Sequence, residues 1–218
     1  ELIRLARDEL NPDPVVAFDD SGQSLVVASG GRLTVWSSDP GPDGSPREAT
    51  FSGATAVGEW RGKALEKALA SRNWFAARHQ LDWLIAAEPG NARLLSQRGS
   101  IQARLGEFLA GAADFRAAFE VGQQFRDLCR QGMLSLRAGE IDTYRSACQE
   151  AIRLTRDEGT PSSALNGAAW LGALSPESGA DWEALTKRLE VHAAAADADF
   201  LNTLAVLHYR RGQLDEAI

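Results

Sequence analysis

Few side chains in this sequence stand at spacings that chemistry requires. His79 and Asp82 lie three residues apart, and on a helix that spacing puts both on one face, where they could share a metal ion or a proton. A metal site needs three or four ligands, so a solvated pair is the plainer expectation. His192 stands beside a run of alanines and is expected as an exposed imidazole. The two cysteines, Cys129 and Cys148, belong to no Cys-x-x-Cys pair and are expected as reduced thiols. The acidic pairs Asp157-Glu158 and Asp215-Glu216 fall at expected helix ends, where solvation and the helix dipole account for them without general acid-base work. Trp74, Trp83 and Trp170 lie on apolar helical stripes and are expected in the core. The sequence holds no Gly-x-Gly-x-x-Gly loop, no His-Arg-Asp, no Asp-Phe-Gly and no Gly-Lys-Ser/Thr loop, so neither kinase nor phosphate-loop chemistry is signalled. The expectation is a chain that is not an enzyme and uses no metal and no cofactor.

The elements around these residues fall into two compositions. Val15–Asp19, Ser24–Ser29 and Arg32–Ser37 read as short β-strands, the last alternating Leu33 and Val35 on one face. Asp20-Ser21-Gly22-Gln23 and Gly30-Gly31 supply the turns between them. Together they read as a three-stranded antiparallel meander. Ser38–Pro46 holds three prolines and two glycines in nine residues and reads as a loop. From Gly62 the spacing becomes helical and rich in alanine. Ala77, Leu81 and Leu84 recur as Gly111, Phe115 and Ala118 after 34 residues, and as Tyr144, Cys148 and Ala151 after another 33. Gly99 and Gly106 recur as Gly132 and Gly139 at the same 33-residue offset. A period near 34 with helix-turn-helix units is the mark of a helical repeat array. Small residues at Gly99 and Gly132 suit close helix packing, Gly106 and Gly139 suit turns with positive φ, and Pro89 suits the stop of a helix. A looser unit follows, with Ser163–Leu174 and Asp181–Ala194 as its two helices, and then a clearer final unit from Leu201 whose last helix, cut at Ile218, should fray.

Of the 218 residues, 44% are hydrophobic and 24% charged, with a net charge of -7 and a pI near 5.1. That acidity argues against a general nucleic-acid binder, which needs surplus Lys and Arg. No run of 18 apolar residues suggests a membrane helix. Glu1-Leu2-Ile3-Arg4 does not read as the start of a signal peptide, and a cytoplasmic location is expected. The ends of the chain read as cuts from something longer.

The 34-residue units resemble tetratricopeptide (TPR) repeats, and Tyr209-Arg210-Arg211-Gly212-Gln213-Leu214-Asp215-Glu216-Ala217-Ile218 resembles that family's turn and start of helix B. The strands Val16–Gly22, Leu25–Ser29 and Leu33–Trp36 resemble the last blade of a WD40-type β-propeller, with Gly30-Gly31 where the family usually has Asp-Gly and Ser37 where it has Asp. The whole resembles planctomycete proteins that join a WD40 propeller to TPR repeats, in which such a helical tail also follows serine/threonine kinase domains. The implied fold is mainly α: a TPR-like α-solenoid with a short N-terminal antiparallel β-meander. The implied organisation is a partial blade over residues 1–52, a linker over 53–61 and helical repeats over 62–218. By this resemblance His208 takes a helix A position that normally packs an aromatic ring. Arg93, Arg104, Arg126, Arg130 and Arg137 fall on or near the concave groove, where arginines favour an acidic peptide; local Glu or Asp partners are the competing expectation. The family's carboxylate clamp is not carried over, since its positions hold Ser96, Ser100, Cys129 and Met133. The implied function is a protein-interaction scaffold within a larger WD40/TPR protein, with a regulatory arm of a larger kinase-type enzyme as the alternative. The expected partner is a protein or peptide, acidic in character, and neither nucleic acid nor membrane.

Overall fold

The computed structural model describes residues 15–18, 24–29, 32–40, 46–52, 54–157, 159–193 and 198–218. It divides into two compact units, Glu1–Ala87 and Glu88–Ile218. The first begins with an antiparallel four-stranded sheet in the order β1 (Val15–Phe18), β2 (Ser24–Ser29), β3 (Arg32–Pro40) and β4 (Pro46–Ser52). Val16 faces Val27, Leu25 faces Trp36 and Val35 faces Ala49. The β-branched content that suggested strands thus becomes cross-strand pairs. The third strand runs three residues into the expected loop. A register shift between Ser37 and Pro40 accommodates this, and Pro40 and Pro46 pair at the strand ends, where a missing N–H is tolerated.

Helix α1 (Ala54–Ala70) overturns the expectation of a linker over residues 53–61. Its first turns contain no proline, and Ala54, Ala56, Glu59 and Arg61 are compatible with a helix that Gly58 and Gly62 weaken but do not break. Helix α2 (Trp74–Ala87) follows a tight turn, and Asn73 caps it by accepting from the Ala76 N–H at 3.1 Å. Ala77, Leu81 and Ile85 form its buried face. Trp83 is 42% exposed, a correction to its expected core position: it stands two residues, about 200° of helix, from Leu81. Its ring instead carries the buried Arg61 guanidinium 4.7 Å above it, and Trp60 lies 5.1 Å from the same group. Trp170 is likewise 39% exposed, between buried Ala169 and Leu171.

The second unit comprises α3 (Ala92–Arg104), α4 (Phe108–Gly122), α5 (Phe125–Ala138), α6 (Ile141–Leu154), α7 (Ser162–Ala173), a 3₁₀ turn at Pro176–Ser178, α8 (Trp182–Ala193) and α9 (Ala198–Arg210). Asn91 starts α3 by accepting from the Arg93 and Leu94 N–H groups. Gly106 and Gly139 close the turns after α3 and α5 at φ +81° and +82°, the left-handed region that other residues enter at a cost. The α3–α4 hairpin closes on glycine. A Cβ on Gly99 would meet the Gly111 carbonyl oxygen at 3.0 Å and the Phe115 ring at 3.2 Å. A Cβ on Gly111 would meet Leu134 of α5 at 2.8 Å. Gly132 has the same role in the next unit, with Leu171 at 3.0 Å and Ala147 at 3.2 Å.

The later units are tied at the end of α7. Tyr144 donates its hydroxyl proton to the Leu171 carbonyl at 2.7 Å and accepts from the Ser175 N–H at 3.2 Å. Trp182 Nε1 donates to the Gly172 carbonyl, and Arg210 donates to the carbonyls of Ala173 and Leu174. Four carbonyls at the helix end, where backbone partners run out, are therefore held by side chains of α6, α8 and α9. Leu165, Ala169, Leu185, Leu189, Leu204 and Leu207 fill the core among α7, α8 and α9. The residues 213–218 form turns rather than the start of a helix.

Gly99→Ala and Gly111→Ala are expected to destabilise the protein by about 1–3 kcal/mol, the usual cost of overpacking. Gly62→Ala is expected to stabilise it by about 0.5–1 kcal/mol, because nothing lies within 4 Å of its Cβ position. Denaturant unfolding of the three variants checks both signs.

Candidate partner-binding groove

Helices α3 and α5 are the first helices of successive units, and their facing sides frame two adjoining cavities. The first, about 500 Å³, is lined by Arg93, Ser96, Gln97 and Ser100 of α3 with Arg126, Asp127 and Arg130 of α5, and by Gln124 just before α5. The second, about 370 Å³, has an apolar floor of Ala103, Phe115, Met133 and Leu134, with Arg104 and Arg130 beside it. Ser100 and Arg130 line both. Of the five arginines singled out from the sequence, four therefore meet around one continuous hollow. Arg137 lines neither cavity; it stacks 5.3 Å from the Phe108 ring, seven residues or about 10 Å along α5 from Arg130.

The floor of the first cavity is held by a buried carboxylate. Asp127 is 3% exposed and accepts from Ser96 Oγ at 2.8 Å, which links α3 to α5. Ser100 Oγ donates to the Ser96 carbonyl at 2.9 Å. Both serine protons are thus committed within the protein, and Gln124 Nε2 donates to the Gly122 carbonyl, so the remaining donors in the lining are the guanidinium groups and the Gln97 amide. Arg130 lies 5.4 Å from the Phe115 ring. Burial pulls its pKa below the usual arginine range and the charge of Arg126 pulls the same way, while Asp127 opposes them.

Four arginines elsewhere in this unit have acidic partners. Arg98 holds the buried Asp114 through two 2.7 Å contacts, Nε to Oδ2 and Nη2 to Oδ1. Arg116 pairs with Glu120, Arg145 with Asp142 and Arg153 with Glu150. Among the described residues no ion pair takes up Arg93, Arg126, Arg130 or Arg137.

The remaining candidates lie elsewhere in the fold. His79 and Asp82 are exposed, and no group of three His, Cys, Asp or Glu side chains that could hold a metal occurs among the described residues. His208 is half-buried on α9, 3.2 Å from Gln213 Oε1 and 3.8 Å from Glu190. Glu158 and the His192 side chain lie outside the described residues. Asp157, Asp215 and Glu216 are exposed. Cys148 is buried and Cys129 half-buried, both free. No described helix is long and apolar enough to cross a membrane. Asp127, Gln97 and Gln124 were not legible as groove residues. The one available signal was an Asp between Arg126 and Leu128 in the first turn of a helix, which reads equally well as a dipole partner.

Comparison with known proteins places the fold. No protein-family model matches the chain, and no curated protein matches it. Among solved structures, a tetratricopeptide repeat protein from Parabacteroides merdae superposes with a TM-score of 0.57 at 16% identity, over 73% of this chain and 62% of that one. MamA (residues 41 to its end) from Desulfovibrio magneticus RS-1 superposes with a TM-score of 0.54 at 14% identity, over 73% of this chain and 88% of that one. The chain is a TPR-like helical repeat with a short N-terminal antiparallel sheet; it spans less than two thirds of the Parabacteroides protein.

Burial raises the Cys148 thiol to about 11, and burial together with Cys148 raises Cys129 to about 12. The fold favours both neutral thiols. Their contribution to stability is complete below the ordinary thiol value of 9.0 and is lost as pH rises through about 11 and 12. A thiol reagent at about pH 8 is expected to label the native protein far more slowly than the unfolded chain. The fall in denaturant midpoint above about pH 9 is expected to be smaller in a Cys129→Ala, Cys148→Ala variant.

Proposed function

We propose that this chain is a protein-interaction scaffold whose α3–α5 groove receives an acidic segment of a partner protein. One observation carries the reading: Arg93, Arg126 and Arg130 line one cavity with a single carboxylate, Asp127, and form no ion pair among the described residues, while Arg98, Arg116, Arg145 and Arg153 are each paired. Leaving guanidinium groups close together costs Coulomb repulsion, which an incoming acidic segment relieves. The TPR-like fold supports the reading, since helical repeats present extended binding surfaces. The absence of catalytic motifs in the sequence supports a non-catalytic role. The four-stranded N-terminal meander supports reading residues up to 52 as one propeller-type blade of a larger WD40/TPR protein, with the helical repeats following it.

Affinity capture from source lysate tests the groove, comparing the parent with an Arg93→Glu, Arg126→Glu, Arg130→Glu variant that retains its helical circular dichroism. A partner held by the parent, lost in the variant and displaced by excess polyglutamate peptide is the expected result. A partner held equally by both proteins contradicts it.

A further inference from the structure

We infer that the first cavity is a phosphate-recognition site, built for a phosphorylated side chain of the partner segment, with the second cavity taking a large apolar side chain next to it. This inference rests on the groove reading and narrows it. The charge balance is the first argument. Three guanidinium groups and one carboxylate line the first cavity, a surplus of two positive charges. A single carboxylate would neutralise half of that surplus; a phosphomonoester, close to a dianion at neutral pH, neutralises it all.

The donor inventory is the second argument. Ser96 and Ser100 have given their protons to Asp127 and to the Ser96 carbonyl, so the hollow offers forked guanidinium donors, which match the three oxygens of a phosphoryl group. The carboxylate does not compete for them: Asp127 is buried and accepts from Ser96. Gln97 and Gln124 add side-chain amides to the lining. The start of α5 lies at the same cavity, and Gln124 gives it no side-chain cap, so its positive end adds to the local potential.

The neighbouring cavity supplies the third argument. Its floor of Phe115, Met133, Leu134 and Ala103 continues from the first cavity through Ser100 and Arg130. Met133 is 36% exposed there, an apolar surface that water covers poorly. A phosphorylated residue seated on Arg93, Arg126 and Arg130 therefore brings its neighbour over an apolar floor. Charge fixes the position of the segment and the apolar contact selects its sequence.

The test uses the full chain and three fluorescent, degenerate heptapeptide pools whose central residue is phosphoserine, glutamate or serine. The phosphoserine pool is expected to bind at least about tenfold more tightly than the glutamate pool. Its enriched members should carry a large apolar residue beside the phosphoserine. Arg126→Gln, on an exposed side chain, and Arg130→Gln should each erase most of that difference, while Arg116→Gln, in the Glu120 pair, should not. Inorganic phosphate should displace the phosphoserine pool at concentrations where acetate of equal ionic strength does not. Equal binding of the phosphoserine and glutamate pools overturns the phosphate site and leaves the acidic groove standing. Binding by neither anionic pool, or binding unchanged by both arginine substitutions, overturns the groove reading as well.

Discussion

The contact between the backbones of α3 and α4 at Gly99 and Gly111 is the constraint on which the groove depends. With no side chain on either residue the two helices close until a Cβ on one would stand 3.0 Å from a carbonyl oxygen of the other. That closeness lets Leu134 of α5 reach over Gly111, and it places the Phe115 ring under Arg130. The positions of α3 and α5 follow from it, and so does the width of the hollow between them. The buried Ser96–Asp127 hydrogen bond then locks the facing sides of the two helices together. An unpaired buried carboxylate would be costly; this one accepts the Ser96 hydroxyl proton and shares its cavity with three arginines.

The charge distribution has a physical logic. The chain is acidic overall, with a net charge of -7, and Arg116, Arg145 and Arg153 are matched by neighbouring glutamates and aspartates at helical spacing. Such exposed pairs contribute little to stability. The α3–α5 hollow, by contrast, holds three arginines and one carboxylate. For the proposed acidic segment such a surplus of positive charge favours orientation and selectivity more than raw affinity.

The repeat was legible because its physics is local and periodic. Glycines at a 33-residue offset can be read directly as close contacts and left-handed turns, and Gly99, Gly132, Gly106 and Gly139 take up those roles. The strands were legible from β-branched residues between turn signals. Less legible was anything set by three-dimensional neighbours. Trp83 and Trp170 looked like core residues because they are large and apolar; the helix faces that they occupy are settled by which neighbour packs where. The start of α1 was hidden by Gly58 and Gly62, whose weak helix propensity is overridden in the fold. The arginines could be placed on a face by the resemblance to TPR units. Their lack of partners could not, because Arg98 and Arg116 look the same in sequence and find Asp114 and Glu120 in space.

The most direct measurement is backbone amide chemical-shift mapping of the isotope-labelled chain during titration with a polyglutamate peptide. Binding in the groove predicts that the largest shifts cluster on α3 from Arg93 to Arg104 and on α5 from Arg126 to Met133, and that they saturate together. Shifts concentrated on the opposite face, around Arg116, Glu120, Asp142 and Glu150 of α4 and α6, or spread evenly over the surface, would contradict it.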